Sequence, residues 1–166
     1  MIIKEYWCDN DVFETFRKVD KLNILYSLQT NGESILITTS QIKDQFYSNS
    51  KIISNSNEEL NRTITNPVKY EYSVGIAELG HLFEDPDESL IFAAGSTHGV
   101  ILSNDKKLRN RANRKNIETH GTQWVLKKLV ERKIIDPETA YNIAKQMELL
   151  GERVGEVNRD YYTQIL

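Results

Sequence analysis

The stretch "IIKEYWCDNDVFETF", residues 2–16, decides the fold. A mostly β-prone run ends at Trp7-Cys8, two carboxylates follow one residue apart at Asp9 and Asp11, and the apolar spacing then turns helical through Val12, Phe13 and Phe16. Alternation over a few residues reads as a strand, and a three-to-four-residue spacing reads as a helix. Asp9 and Asp11 therefore stand where a strand hands over to a helix. Acids at such a place either cap the helix or form one wall of a site, because open parallel sheets bind ligands beyond the carboxyl ends of their strands.

Working outward, residues 2–8 read as the first strand and 12 to about 30 as helix, broken near Asp20, with Phe13, Phe16, Leu22, Leu25 and Leu28 as core candidates. "SILIT", 34–38, suits a buried strand, and "SQIKDQF" reads as the opening of a helix capped by Ser40. The Asn- and Ser-rich stretch 47–77 reads as a surface insertion with a short helical piece. "SVGIAELGHLF" reads as helix, "EDPDES" as a break, and "ESLIFAAGST" as a helix closed by His98-Gly99, with the glycine just past the last turn. "VILS", 100–103, is a strand, "NDKKLRNRANRKN" opens a helix, and "IET", 117–119, is a last short strand.

The C-terminal third is helical. Val125, Leu126, Leu129 and Val130 mark one helix. Asp136 caps the next, with Pro137 at its first position and Ala140, Ile143, Ala144, Met147 and Leu150 on one stripe before Gly151. Strands alternating with helices predict a single α/β domain over 1–166 with a central, mostly parallel sheet flanked by helices.

A lone cysteine, Cys8, excludes an internal disulfide and fits a reducing cytoplasm. No charged leader precedes an apolar run, so no secretion signal is expected, and no run approaches the roughly 20 apolar residues of a membrane span. The expected location is cytoplasmic, with no membrane partner. A net charge of −3 argues against general coating of nucleic acid, yet "KKLRNRANRK", 106–115, carries six cations and no acid. Lys106, Lys107, Arg109, Arg111 and Arg114 are candidates for gripping phosphates, against the plainer reading of a solvated helix face.

Three acids far apart in sequence are expected at one crevice: Asp9 after the first strand, Asp87 at the start of the helix leading to the "VILS" strand, and Asp105 after that strand. Each alone reads first as a helix cap, and the site reading rests on their joint order and spacing; Asp11 joins them as an auxiliary acid. Clustered carboxylates resist joint ionisation unless protonated or bridged by a cation. Oxygen donors without His or Cys select Mg²⁺ or Mn²⁺ over zinc, and an ion so held suits phosphodiester hydrolysis. His81, His98 and His120 lack metal-ligand spacing and read as structural or surface residues. Trp7 and Trp124 read as core, Cys8 as buried packing, and Tyr161 and Tyr162 as packing the C-terminus or serving a dimer contact.

"CDNDVF", "DESLIFAA" and "VILSNDKKLR", in that order, resemble the motifs of PIN-domain nucleases. The resemblance places Asp9, Asp87 and Asp105 on the family's first, third and fourth acidic positions and Ser103 on its Thr position. The chain from "GTQWVL" to its end resembles the close of a PIN subgroup that finishes with Gly-Thr-x-x-x-Leu and a strand-like stop. The family's second acid is usually a Glu; here Gln45 stands there, with Asp44 one residue before it as substitute. The resemblance implies a Mg²⁺- or Mn²⁺-dependent endoribonuclease acting on single-stranded RNA. In that reading Asp9, Asp87 and Asp105 hold the metal, Asp44 is auxiliary, and Ser103 hydrogen-bonds a ligating carboxylate. It also points to a toxin–antitoxin pair with a cognate antitoxin protein, and to a homodimer. Two alternatives stay open: a PIN-like module that binds RNA or protein without cutting, and a haloacid-dehalogenase-type phosphatase, which also opens with Asp-x-Asp but has no match for that class's late Gly-Asp-x-x-x-Asp.

Overall fold

A computed structural model describes residues 3–29, 33–44, 75–77 and 85–164. Gln45, His81 and nearly all of the 47–77 stretch lie outside them. In chain order the elements are β1 (Lys4–Cys8), α1 (Asn10–Lys18), α2 (Leu22–Tyr26), β2 (Ser34–Thr39), β3 (Gly75–Ala77), α3 (Pro86–Thr97), β4 (Val100–Leu102), α4 (Lys106–Asn113), β5 (Glu118–His120), α5 (Thr122–Glu131), α6 (Pro137–Leu149) and α7 (Arg159–Thr163). Residues 40–44 are also helical.

The expected α/β architecture is present. Five strands form one sheet in the order β3-β2-β1-β4-β5, and every described pair is parallel. The chain leaves β1 in one direction to β2 and β3, then crosses back to β4 and β5. α3 packs across β1, β2 and β4. The order reverses between β1 and β4, which is where such sheets open a crevice. Cys8 pairs with Leu102 there, and the Asp9 N–H donates to the Leu102 carbonyl at 2.9 Å. The residues just past β1 are thereby set beside those just past β4.

α1 forms because Val12, Phe13 and Phe16 share a stripe that is fully buried, with Arg17 and Lys18 in the last turn, where cations suit the helix dipole. It breaks at Asp20, which takes a left-handed φ of 56°. Leu22, Leu25 and Leu28 continue the core beyond the break.

Several local expectations give way. Gly75–Ala77 is not helix but an edge strand on β2, with Thr38 opposite Ile76; glycine is costly inside a helix, and so short an apolar run has no period of its own. The 40–44 turn is capped by Thr39, whose hydroxyl accepts from the Ile42 N–H at 3.2 Å, and not by Ser40. The stripe of α6 ends at Met147. Leu150 is its C-cap and is 54% exposed, because the chain leaves helical phase there. Arg159–Thr163 form the helical turn α7, capped by Asn158, and the last two residues, where the strand-like stop is expected, lie outside the described ones. Tyr162 is buried, with its hydroxyl donating to Gln123 Oε1 at 2.8 Å.

At the end of α3, His98 and not Gly99 adopts the left-handed conformation. Gly99 is needed for space: a Cβ on it would lie 2.7 Å from Trp7 Cδ1 and 3.0 Å from the Glu5 carbonyl oxygen. Trp7 is itself pinned by its indole N–H, which donates to Thr97 Oγ1 at 3.0 Å. Gly99→Ala is expected to cost about 1–3 kcal/mol by overpacking. Urea denaturation would show this as a lower midpoint at unchanged slope.

Candidate active site

Asp9 is both cap and wall. Its Oδ1 accepts from the Asn10 N–H at 2.8 Å, which starts α1, and its Oδ2 accepts from the Ser103 hydroxyl at 2.8 Å, which ties β1 to β4. Ser103 is fully buried, and its Oγ accepts in turn from the Asp105 N–H at 3.0 Å. One hydroxyl thus joins the two acids that follow the neighbouring strands. Asp105 caps α4 through its Oδ1, which accepts from the Lys107 N–H at 2.9 Å.

Asp87 lies in the first turn of α3, but the cap is Asp85, whose Oδ1 accepts from the Asp87 N–H at 3.0 Å. The cap is thus made two residues earlier than Asp87. The Asp85-Pro86 pair was the available signal, since Asp before a first-turn Pro marks a helix start. Arg111 answers this acid, with its guanidinium 3.9 Å from Asp87 and also from Glu88.

Asp9, Asp11 and Asp87 are each raised, chiefly by burial and in part by a neighbouring acid. Burial, then the Asp11 charge, push Asp9 up to about 8, with Asp87 adding to the rise while the Ser103 and Asn10 hydrogen bonds oppose it. Burial lifts Asp11 to about 6; Asp105 adds to this, and the Asn104 N–H and the Arg109 guanidinium pull back. Asp87 is raised by burial, then by Asp85 and Asp105, with Arg111 opposing. Uncompensated negative charge at a half-closed crevice invites a cation.

Asn104, absent from the sequence candidates, is the joint beneath the acids. Its N–H donates to Asp11 Oδ1 at 3.1 Å. Its Oδ1 accepts from both the N–H (3.0 Å) and the hydroxyl (2.9 Å) of Thr122 at the start of α5. Its amide reaches Thr15 Oγ1 at 3.4 Å. The polar triplet Ser103-Asn104-Asp105 directly after an apolar strand was its sequence signal.

The remaining candidates divide. Asp44 is exposed, one turn beyond the end of β2, and is not among the groups whose charge Asp9, Asp11 or Asp87 feels. Gln45 is outside the described residues. Lys106, Lys107 and Arg114 are exposed on α4, while Arg109 turns back to donate to the Ser103 carbonyl at 2.8 Å. Cys8 is buried, and desolvation together with Asp9 and Asp11 pushes its thiol well up, away from nucleophile chemistry. Among the described residues no three His, Cys, Asp or Glu side chains form a group that could hold a metal ion as they stand. The donor set still fits a hard divalent ion in kind, being all oxygen and short of positive charge. No helix among the described residues is long and apolar enough to cross a membrane.

A protein-family model, DUF3368, described as PIN domain, matches residues 8–166. Among solved structures, the chain is similar to a PilT N-terminus domain protein, SSO1118, from Sulfolobus solfataricus P2. The identity is 15% and the TM-score 0.46, over 73% of this chain and 89% of that one. No curated protein sequence matches.

Proposed function

This chain belongs to the PIN domain family, and from that premise we propose that it is a metal-dependent nuclease cleaving phosphodiester bonds of single-stranded RNA. PIN domains are in general nucleases that use divalent metals, which leaves the phosphatase alternative without support. What supports the reading is that Asp9 and Asp105 follow the neighbouring strands β1 and β4 at the reversal, linked through the Ser103 hydroxyl, with Asp87 near enough for its charge to raise Asp9.

In this reading Asp9, Asp87 and Asp105 hold a Mg²⁺ or Mn²⁺ ion. Such an ion supplies Lewis acidity toward the phosphate and an acidified water. Ser103 fixes the Asp9 carboxylate and the Asp105 backbone N–H to one hydroxyl, and the Asn104 N–H holds Asp11 as an auxiliary acid. Arg111, Arg109 and the exposed Lys106, Lys107 and Arg114 offset phosphate charge at the mouth of the crevice. Asp44 lies one helical turn beyond the strand end on the same edge and is, with Asp11, an auxiliary acid of the proposal.

One observation favours a non-cutting RNA- or protein-binding module instead: the carboxylates do not close into a ligating group as they stand. Cleavage separates the two readings. Purified wild type is expected to cut a labelled single-stranded RNA with Mn²⁺ or Mg²⁺ and to stop in EDTA, while Asp105→Asn prepared alongside is expected to be silent. No cutting under any condition would favour the binding module.

A further inference from the structure

Beside the acids, at the carboxyl end of β5, a groove of about 350 Å³ is lined by Arg109, His120, Gln123, Trp124, Arg153 and Tyr161 among others. We propose that this groove holds one nucleotide of a bound single strand next to the scissile phosphate, with its base stacked against the His120–Trp124 pair and its phosphate held by Arg153 and Arg109. The proposal rests on the nuclease reading for the class of its ligand.

Charge is the first reason. The chain is net negative, yet the described residues lining this groove include two arginines and no Asp or Glu; His120, the third basic side chain, is paired with Glu118 at 2.7 Å and serves as a ring rather than a free cation. Arg153 is exposed and pairs with no carboxylate among the described residues. A flexible anion is the ligand that such a lining selects.

The second reason is the aromatic platform. The His120 and Trp124 rings are stacked at 3.9 Å with 7° between their planes, and Lys128 lies 5.3 Å from the Trp124 centroid. Trp124, expected in the core, is only partly buried and lines the groove, whereas Trp7 is 3% exposed. Flat rings beside cations are how single-stranded nucleic acid is held without reading its sequence. Gly155, at a φ of 81° that side chains rarely adopt, leaves that part of the lining bare.

Continuity is the third reason. Asn104 lines the groove and adjoins Asp105, and Arg109 faces both the groove and Asp11. A strand whose phosphate lies at the acids reaches the groove with its next nucleotide. The neighbouring depression past Gln123 and Tyr161 is lined by Glu156 and Asp160, so the favourable path ends there.

The test uses the full chain carrying Asp105→Asn, in EDTA, so that binding is read without cleavage. Short oligouridylate and a matched oligodeoxythymidylate are titrated while tryptophan fluorescence is followed, at several salt concentrations. Binding is expected to quench the partly exposed Trp124. Arg153→Glu should weaken binding about tenfold and make the salt dependence shallower by about one counterion. His120→Ala should reduce the quench. Lys133→Glu, an exposed charge reversal just past the far end of α5, should bind as the parent does. Arg153-dependent binding of either strand supports the groove, and a preference for the ribo- over the deoxyribo-strand names RNA as its ligand. No binding, binding indifferent to Arg153→Glu, or equal weakening by Lys133→Glu would overturn it. Arg153-dependent binding by a chain that cuts nothing with Mn²⁺ would sink the nuclease reading and leave the groove standing.

Discussion

Asp9→Asn is expected to abolish cleavage and, in the same protein, to stabilise the metal-free fold. The loss of activity follows from its place: Asp9 lies at the β1/β4 reversal, is 6% exposed, and is joined to Asp105 through Ser103. Removing a carboxylate proposed to hold the metal is expected to slow cutting by roughly 10³-fold or more, about 4 kcal/mol in the barrier. The gain in stability follows from the same burial. The folded Asp9 holds its proton up to about 8, against an ordinary value of 3.8. Between those limits the folded chain binds a proton that the unfolded chain releases, so this group makes stability fall as pH rises. Asparagine carries no charge to bury and keeps an acceptor for the Asn10 N–H. The variant should match wild type near pH 4 and exceed it by roughly 2–4 kcal/mol at pH 8 without metal, judged from the linkage of such a shift. Urea denaturation at the two pH values checks this. A variant less stable than wild type at pH 8 would mean that Asp9 is held as a satisfied structural charge.

Asn104→Leu is expected to cost about 2–4 kcal/mol although it removes no charge and little volume. Asn104 is 7% exposed and Thr122 is 1% exposed, so no water replaces the lost acceptor. The Thr122 N–H is one of the unpaired donors at the start of α5, and its hydroxyl has the same partner. Leucine leaves both unsatisfied and frees the link to Thr15 on α1. The backbone N–H to Asp11 survives any substitution, so cleavage by the variant at low temperature should fall much less than for Asp9→Asn. A stability loss below about 1 kcal/mol, within the range of an ordinary exposed hydrogen bond, would contradict the role given to this joint.

Local periodicity and strand ends were the legible parts of the sequence. β1 and α1 announce themselves in "YWCDNDVF", and α5 and α6 by their stripes, because burial on one face imposes those spacings directly. The acids were legible because each stands at a strand end or helix start. The features that stayed hidden depend on partners distant in the chain. β3 is three residues whose strand character comes from pairing with β2, some forty residues earlier. The αL turn fell on His98 because Gly99 is reserved for the approach of Trp7, a contact across ninety residues. Asn104, which opens the "NDKKLRNRANRKN" stretch, owes its role to Thr122 and Thr15, partners eighteen and eighty-nine residues away. Trp124 read as core by type, yet it sits at the rim because β5 is an edge strand and α5 begins immediately after it.

The central proposal is that buried Asp9, with the partly buried Asp87 and Asp105, holds a divalent cation. Calorimetric titration of Mn²⁺ into the wild-type chain and into Asp9→Asn, at neutral pH in two buffers of different ionisation heat, tests it most directly. The account predicts saturable binding to wild type with protons released into the buffer, since a carboxyl raised to about 8 must give up its proton to ligate. Asp9→Asn should lose both the binding and the release. No binding by wild type, or binding that Asp9→Asn leaves unchanged, would contradict the account.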